Sequence, residues 1–197
     1  MSTPSTVTPP PASDPGWTLG PRELQRTIAR LASEIWERHG DPDAFALVGV
    51  VRGGLVLAHR IADAITRLDG GAPGAARPPV GSLDITLYRD DLYTGLEKPV
   101  LGDTRLPFEV NGRAIVLVDD VLFTGRTVRA ALDEIMDFGR PRCIQLAVLV
   151  DRGHRELPVA ADYVGVTLAT DKADRVDVCF DGAGQPEGVR LWRGAAR

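Results

Sequence analysis

Two adjacent carboxylates and a small polar turn supply the chemistry most visible in this chain. Asp119 and Asp120 stand side by side, and Thr124-Gly125-Arg126-Thr127 follows after Val121, Leu122 and Phe123. Touching carboxylates are acceptor-only groups that repel each other, so either they sit in solvent or hydroxyls or a hydrated cation such as Mg²⁺ meet them. In the turn, a glycine lets successive backbone N–H groups face one point. A following helix N-terminus adds positive potential and the threonine hydroxyls add donors, so the turn suits a phosphate. Alone, an Asp-Asp pair is a solvated turn and Thr-Gly-Arg-Thr a helix cap. Contiguous after the apolar run Ile115–Val118, they fit a phosphate joined to a vicinal diol, which describes a phosphoribosyl group.

The elements that must position these groups are legible from periodicity. In residues 20–40, Leu24, Ile28, Leu31 and Ile35 form one apolar helical stripe that Gly40 and Pro42 stop. Residues 45–51 read as a strand buried on both faces, followed by a helix over about 55–68. The Gly- and Pro-rich stretch 70–79 is a linker, and 81–90 alternates as a half-exposed strand with Leu83, Ile85 and Leu87 on one face. Residues 89–112 dissolve into charges, glycines and prolines, a loop long enough to be functional. A strand at 114–119, a helix at about 126–138, a strand at 143–150 and short strands at 163–168 and 176–180 complete the order. Strand and helix alternate through the middle, which predicts an α/β fold with a mostly parallel central sheet. Ligands bind such sheets at the carboxyl ends of strands, where both Arg52-Gly53-Gly54 and the aspartate run stand.

Bulk properties narrow the class. With 197 residues, 44% of them hydrophobic, the chain can bury one core. A net charge of −4 does not fit a dedicated nucleic-acid coat, so any such binding needs a local patch. Cys143 and Cys179 have neither zinc nor disulfide spacing and read as buried free thiols of a cytoplasmic protein. No apolar run reaches membrane-span length, no secretory signal opens the chain, and residues 1–17 read as a disordered proline-rich tail. Two rival readings of the aspartate strand fall. A response-regulator receiver places such a strand near its start, and a P-loop ATPase requires a Gly-Lys pair that this chain lacks.

The run 115–127 resembles the phosphoribosyl-diphosphate (PRPP) signature of type I phosphoribosyltransferases. Together with 82–92 and 139–165 it is similar to the PyrR family, bifunctional pyrimidine-operon regulators with uracil phosphoribosyltransferase activity. The resemblance covers roughly residues 20–182 and implies a phosphoribosyltransferase domain over 18–182 with a small hood, leaving 183–197 as a C-terminal segment. It implies that Asp119 and Asp120 hold the ribose hydroxyls, beside or through Mg²⁺, and that Thr124 to Thr127 hold the 5′-phosphate. Val51, Arg52 and Gly53 would take the diphosphate, in this class often through a strained peptide. Residues 89–107 would form a closing loop carrying Arg89, and the segment 151–158 would lie near the hood over the base. Purine relatives carry an acid where this chain has Phe123, which agrees with a pyrimidine substrate. PRPP, uracil and UMP or UTP follow as ligands, with a homo-oligomer and leader mRNA as expected partners.

Two departures accompany the resemblance. The diphosphate loop reads Val51-Arg52-Gly53-Gly54, with its arginine one place forward of the family's usual form. For RNA, Arg22, Arg26 and Arg30 line one side of the first helix, and Arg152 and Arg155 could add to them. Ala160, Val166, Asp171 and Asp174 stand where further basic residues would be expected.

Overall fold

The computed structural model describes residues 17–68, 76–85 and 104–194. Its core is a five-stranded sheet of order β2-β1-β3-β4-β5, parallel throughout. The strands are β1 (Phe45–Val50), β2 (Val80–Leu83), β3 (Ala114–Leu122), β4 (Cys143–Asp151) and β5 (Tyr163–Thr167). Every residue of β1 is buried, as a central strand covered on both faces requires.

Helices α1 (Pro21–His39) and α2 (Gly53–Leu68) cover one face and α3 (Arg126–Asp137) the other. The expected stripe Leu24, Ile28, Leu31 and Ile35 is buried along α1. Glu23 reaches back to the Gly20 N–H at 2.9 Å, and Gly40 ends the helix in the left-handed conformation at φ 67°. An antiparallel hairpin, β6 (Arg175–Phe180) and β7 (Pro186–Trp192), packs with β7 against α1 and with β6 against α2 and β3. The segment before α1 joins it: Thr18 N–H donates to Val189 O at 2.7 Å, and the Trp17 ring lies 4.2 Å from the Arg190 guanidinium carbon.

Several sequence expectations are corrected. β3 does not stop at residue 119 but continues to Leu122, because β4 pairs with it up to Leu122–Asp151. β2 begins at Val80 and ends at Leu83, where its ladder with β1 ends, with Asp84 and Ile85 outside it; residues 86–90 of the expected strand lie outside the described residues. β7, absent from the sequence reading, lies beyond the boundary expected at 182 and completes the hairpin. Cys143 and Cys179 are free but only partly buried. Arg89, Leu87, most of the loop 89–107 and the tail 1–16 lie outside the described residues. The loop's returning end is tied to the sheet, with Ser82 and Arg105 exchanging backbone hydrogen bonds of 2.8 and 2.9 Å.

Candidate active site

The site begins where two neighbouring strands differ in length. β1 pairs with β3 only as far as Gly49–Val118, whereas β4 follows β3 to its end. Asp119 and Asp120 therefore emerge beyond β1, supported on one side only, at the point where the strand order changes direction. The β1–α2 turn fills the other side. A Cβ on Gly53 would stand 2.0 Å from Asp120 Oδ2, and one on Gly54 would stand 2.4 Å from Val118 O. Glycine at both positions is what lets the start of α2 press against the aspartates. The Val51–Arg52 peptide in this turn is cis. Asp119 is buried at 3% exposure and Asp120 is half-buried. Their Oδ1 atoms accept the N–H groups of Asp120 and Val121 at 3.0 and 2.9 Å.

Leu122 ends the strand, and Phe123 leads into the turn. Gly125, at φ 92°, is the N-cap of α3, a conformation that favours glycine. Thr124 is buried and its Oγ1 accepts the Arg126 N–H at 3.3 Å. The Arg126 side chain is paired with Glu156 at 2.9 Å and is not among the residues that line the cleft. Hydrogen bonds from Lys172 and then Arg126 hold the Glu156 carboxyl below the usual carboxylate range.

A second turn braces this one from outside. Thr124 O accepts the N–H groups of Glu156 and Leu157 at 2.9 and 3.2 Å. Arg155 donates to Phe123 O and Gly153 O at 2.8 and 2.9 Å and pairs with Asp151 at 2.6 Å. Arg155, also offered from sequence to an RNA face, is engaged by the backbone around this turn.

Asp119–Gly125 and Thr127 line a cleft of about 520 Å³ whose far wall is Arg152 and residues 176–179 of β6. The guanidinium carbon of Arg152 lies 4.0 Å from the Phe123 ring centroid, and His154 meets the same ring edge-on at 5.9 Å. Arg152, offered from sequence to an RNA face, is only 6% exposed and lines the cleft beside β6. Burial lowers its pKa from the ordinary arginine value, opposed by the nearby charge of Asp174. Sequence reasoning missed both this role and the contribution of β6; the only signal was that Arg152 follows an apolar strand directly. Arg22, Arg26 and Arg30 are exposed along α1, but Arg30 is engaged by Glu34 and by the carbonyls of Val164 and Gly165.

With this geometry, the phosphoribosyl transferase domain family matches residues 21–181. The bifunctional protein PyrR of Thermus thermophilus is 51% identical over 170 residues, covering 86% of this chain and 91% of that protein. The chain belongs to the PyrR family. The PyrR protein of Pelotomaculum thermopropionicum is 54% identical over 155 residues, covering 79% of this chain and 83% of its own. Among solved structures, the hypoxanthine phosphoribosyltransferase of Trypanosoma cruzi superposes with a TM-score of 0.63, covering 90% of this chain and 96% of that one. At 18% identity the likeness is one of fold. This PyrR-family chain thus has the type I phosphoribosyltransferase architecture expected from its sequence.

Proposed function

We propose that the protein transfers the phosphoribosyl group of PRPP to uracil, giving UMP and diphosphate, in the cytoplasm and as a dimer or higher homo-oligomer. One observation carries this reading: the two aspartates and the phosphate turn line a single cleft with Phe123 and Arg152. Asp119 and Asp120 accept hydrogen bonds from the ribose hydroxyls, while N–H groups at the start of α3 hold the 5′-phosphate. In this reading the Val51–Gly53 turn takes the diphosphate, the β3 run the sugar and the Arg152 side of the cleft the base, an assignment supported by the neighbouring order β1-β3-β4 of the strands that carry them.

Loss of diphosphate from C1′ develops cationic character on the sugar and negative charge on the leaving group. Arg52, on the diphosphate side, offsets the latter. Uracil is a weak nucleophile, so much of the rate comes from holding it against C1′ in line with the departing group. Arg89 and the segment around it belong to closure over the site, which excludes water from the cation.

Mg²⁺ fits this donor set. Among the described residues no group of three or more His, Cys, Asp or Glu side chains is placed to cage an ion. Two carboxylates beside a phosphate-bearing ligand suit a cation that keeps its waters and takes the rest of its ligands from substrate. Asp119 and Asp120 would hold it, and it would neutralise charge on the diphosphate.

Chromatographic detection of UMP and diphosphate from uracil, PRPP and Mg²⁺ tests the proposal. Failure to turn over any pyrimidine base removes it, and turnover of another base alone reassigns the acceptor.

A second reading, regulation of pyrimidine-operon attenuation by UMP- or UTP-dependent binding of leader mRNA, is supported by membership of the PyrR family and by the exposed Arg22 and Arg26 on α1. Nucleotide-dependent retention of the leader RNA checks it. Equal retention of a scrambled RNA at physiological salt would leave an enzyme only. No helix among the described residues is long and apolar enough to cross a membrane.

A further inference from the structure

Arg152 is held with hydrogen-bonding capacity to spare. Among the described residues the one hydrogen bond of its side chain runs from Nη2 to Asp171 O at 2.8 Å. Its Nε is buried without a partner. The side chain is 94% buried by residue exposure, yet it lines the cleft. Its plane is fixed from two directions, by the Phe123 ring at 4.0 Å and by the Asp171 carbonyl. A buried guanidinium with unused N–H groups is costly unless a ligand completes it.

From this we infer that Arg152 selects the acceptor base: it donates to a ring carbonyl of uracil and thereby excludes cytosine. The inference rests on the phosphoribosyl reading of the cleft, which puts the base against the Phe123–Arg152 wall. A guanidinium has donors only. Uracil presents a carbonyl at C4, an acceptor, whereas cytosine presents an amino group there, a second donor facing the first. A site with buried donors discriminates strongly against a ligand that leaves them unpaired. Phe123 supplies the apolar platform that keeps the guanidinium in one plane, so the donors are oriented before the base arrives.

The test compares the intact protein with Arg152→Gln and Arg152→Lys, measuring kcat/KM for uracil and cytosine and KM for PRPP. Arg152→Gln presents a carbonyl as well as an amide N–H, so the uracil-to-cytosine ratio should fall by about 10- to 100-fold, the scale of a charge-assisted hydrogen bond. KM for PRPP should stay within about twofold, a change too small to represent even one lost neutral hydrogen bond. A ratio that does not change, or a loss confined to PRPP, overturns the inference. Should the variants fail to fold, the unaltered protein decides with 4-thiouracil. Its sulfur is a weak acceptor, and equal kcat/KM for uracil and 4-thiouracil would count against donation at C4. Calorimetric binding of UMP and CMP separates this inference from the catalytic proposal. Preference for UMP that depends on Arg152 supports the selector role even without turnover. Equal binding of UMP and CMP defeats it even where turnover is found.

Discussion

Asp120 can stand beside the start of α2 only because its neighbour has no side chain. A Cβ on Gly53 would fall 2.0 Å from Asp120 Oδ2 and 2.6 Å from its Cγ, so Gly53→Ala must swing the carboxylate away from its place. Misplacing a catalytic group by about 1 Å costs on the order of 100-fold, so kcat/KM for PRPP should fall by about that much. The melting temperature should move little, because the carboxylate faces the cleft and can turn. Gly54→Ala behaves differently. Its Cβ would meet Val118 O at 2.4 Å, a backbone atom in the centre of the sheet that cannot turn aside. Overpacking of this kind costs about 1–3 kcal/mol, and thermal denaturation of the two variants side by side checks the contrast. The aspartate run was legible in the sequence because its chemistry is local: carboxylates, glycine and threonines within nine residues point to one ligand. Arg152 was not, because an arginine between an aspartate and a glycine reads as surface until the hairpin is seen to cover it.

At the scale of elements, the cradle depends on the turn behind it. Arg155 bonds to Leu122 O, Phe123 O, Gly153 O and Val159 O and pairs with Asp151, so Arg155→Met strands a carboxylate and releases four carbonyls. The pair is about one-fifth exposed on each side, so removing one partner should cost about 2 kcal/mol, less than the roughly 3–5 kcal/mol of a fully buried pair. KM for PRPP should rise as the Phe123–Gly125 backbone loosens, a readout that simple destabilisation elsewhere would not move. A second element-level link is the end of α1, where His39 stacks on Phe45 at 4.5 Å and lies 2.8 Å from the Gln145 side-chain amide. Burial pushes its pKa below the ordinary 6.5, partly countered by Gln145. The folded protein therefore takes up this proton at lower pH than the unfolded chain. Its contribution to stability is fully present above pH 6.5 and is lost as pH falls below that value through the folded pKa. Melting curves at about pH 7.5 and about pH 5.5 should show a smaller acid-induced drop for His39→Gln than for the unaltered protein. His59, also lowered by burial and by Arg77, adds to the slope in both. The helices were readable because their apolar stripes repeat at 3.6 residues. The length of β3 was not, since it is set by how far β4 accompanies it.

In the whole molecule, the two ends of the described chain close on each other over the hairpin. Thr18 and Leu19 bond to Val189, Trp17 covers Gly188, and Arg60 of α2 donates to Gly184 O at 2.6 Å and Ala183 O at 2.7 Å in the hairpin's turn. Cutting the chain at the boundary read from sequence, after residue 182, would remove β7 and uncover β6, which walls the base subsite. Such a truncation should melt lower and lose uracil binding before PRPP binding, as ligand-induced shifts in melting temperature would report. β7 pairs locally with β6, but its other partner is the segment before α1, at the opposite end of the described chain, and sequence alone does not bring the two together. The same long-range view decides how strongly the protein can hold RNA. Its net charge of −4 opposes a polyanion, so attraction must come from a patch. Arg152 is buried, Arg155 braces the cradle, and Arg30 is tied to Glu34 and β5. Arg30 is exposed but already tied, which leaves Arg22 and Arg26 as the members of the expected set that the patch would draw on. Each phosphate contact to a single strand contributes about −0.7 to the slope of log affinity against log salt. If both arginines touch phosphate, Arg22→Gln combined with Arg26→Gln should flatten that slope by about 1.4, with circular dichroism as the check on folding. Filter binding of leader RNA across a salt series measures it. An unchanged slope would move the RNA-binding face away from α1, because helix positions four apart cannot both contact a backbone and leave its counterions undisturbed.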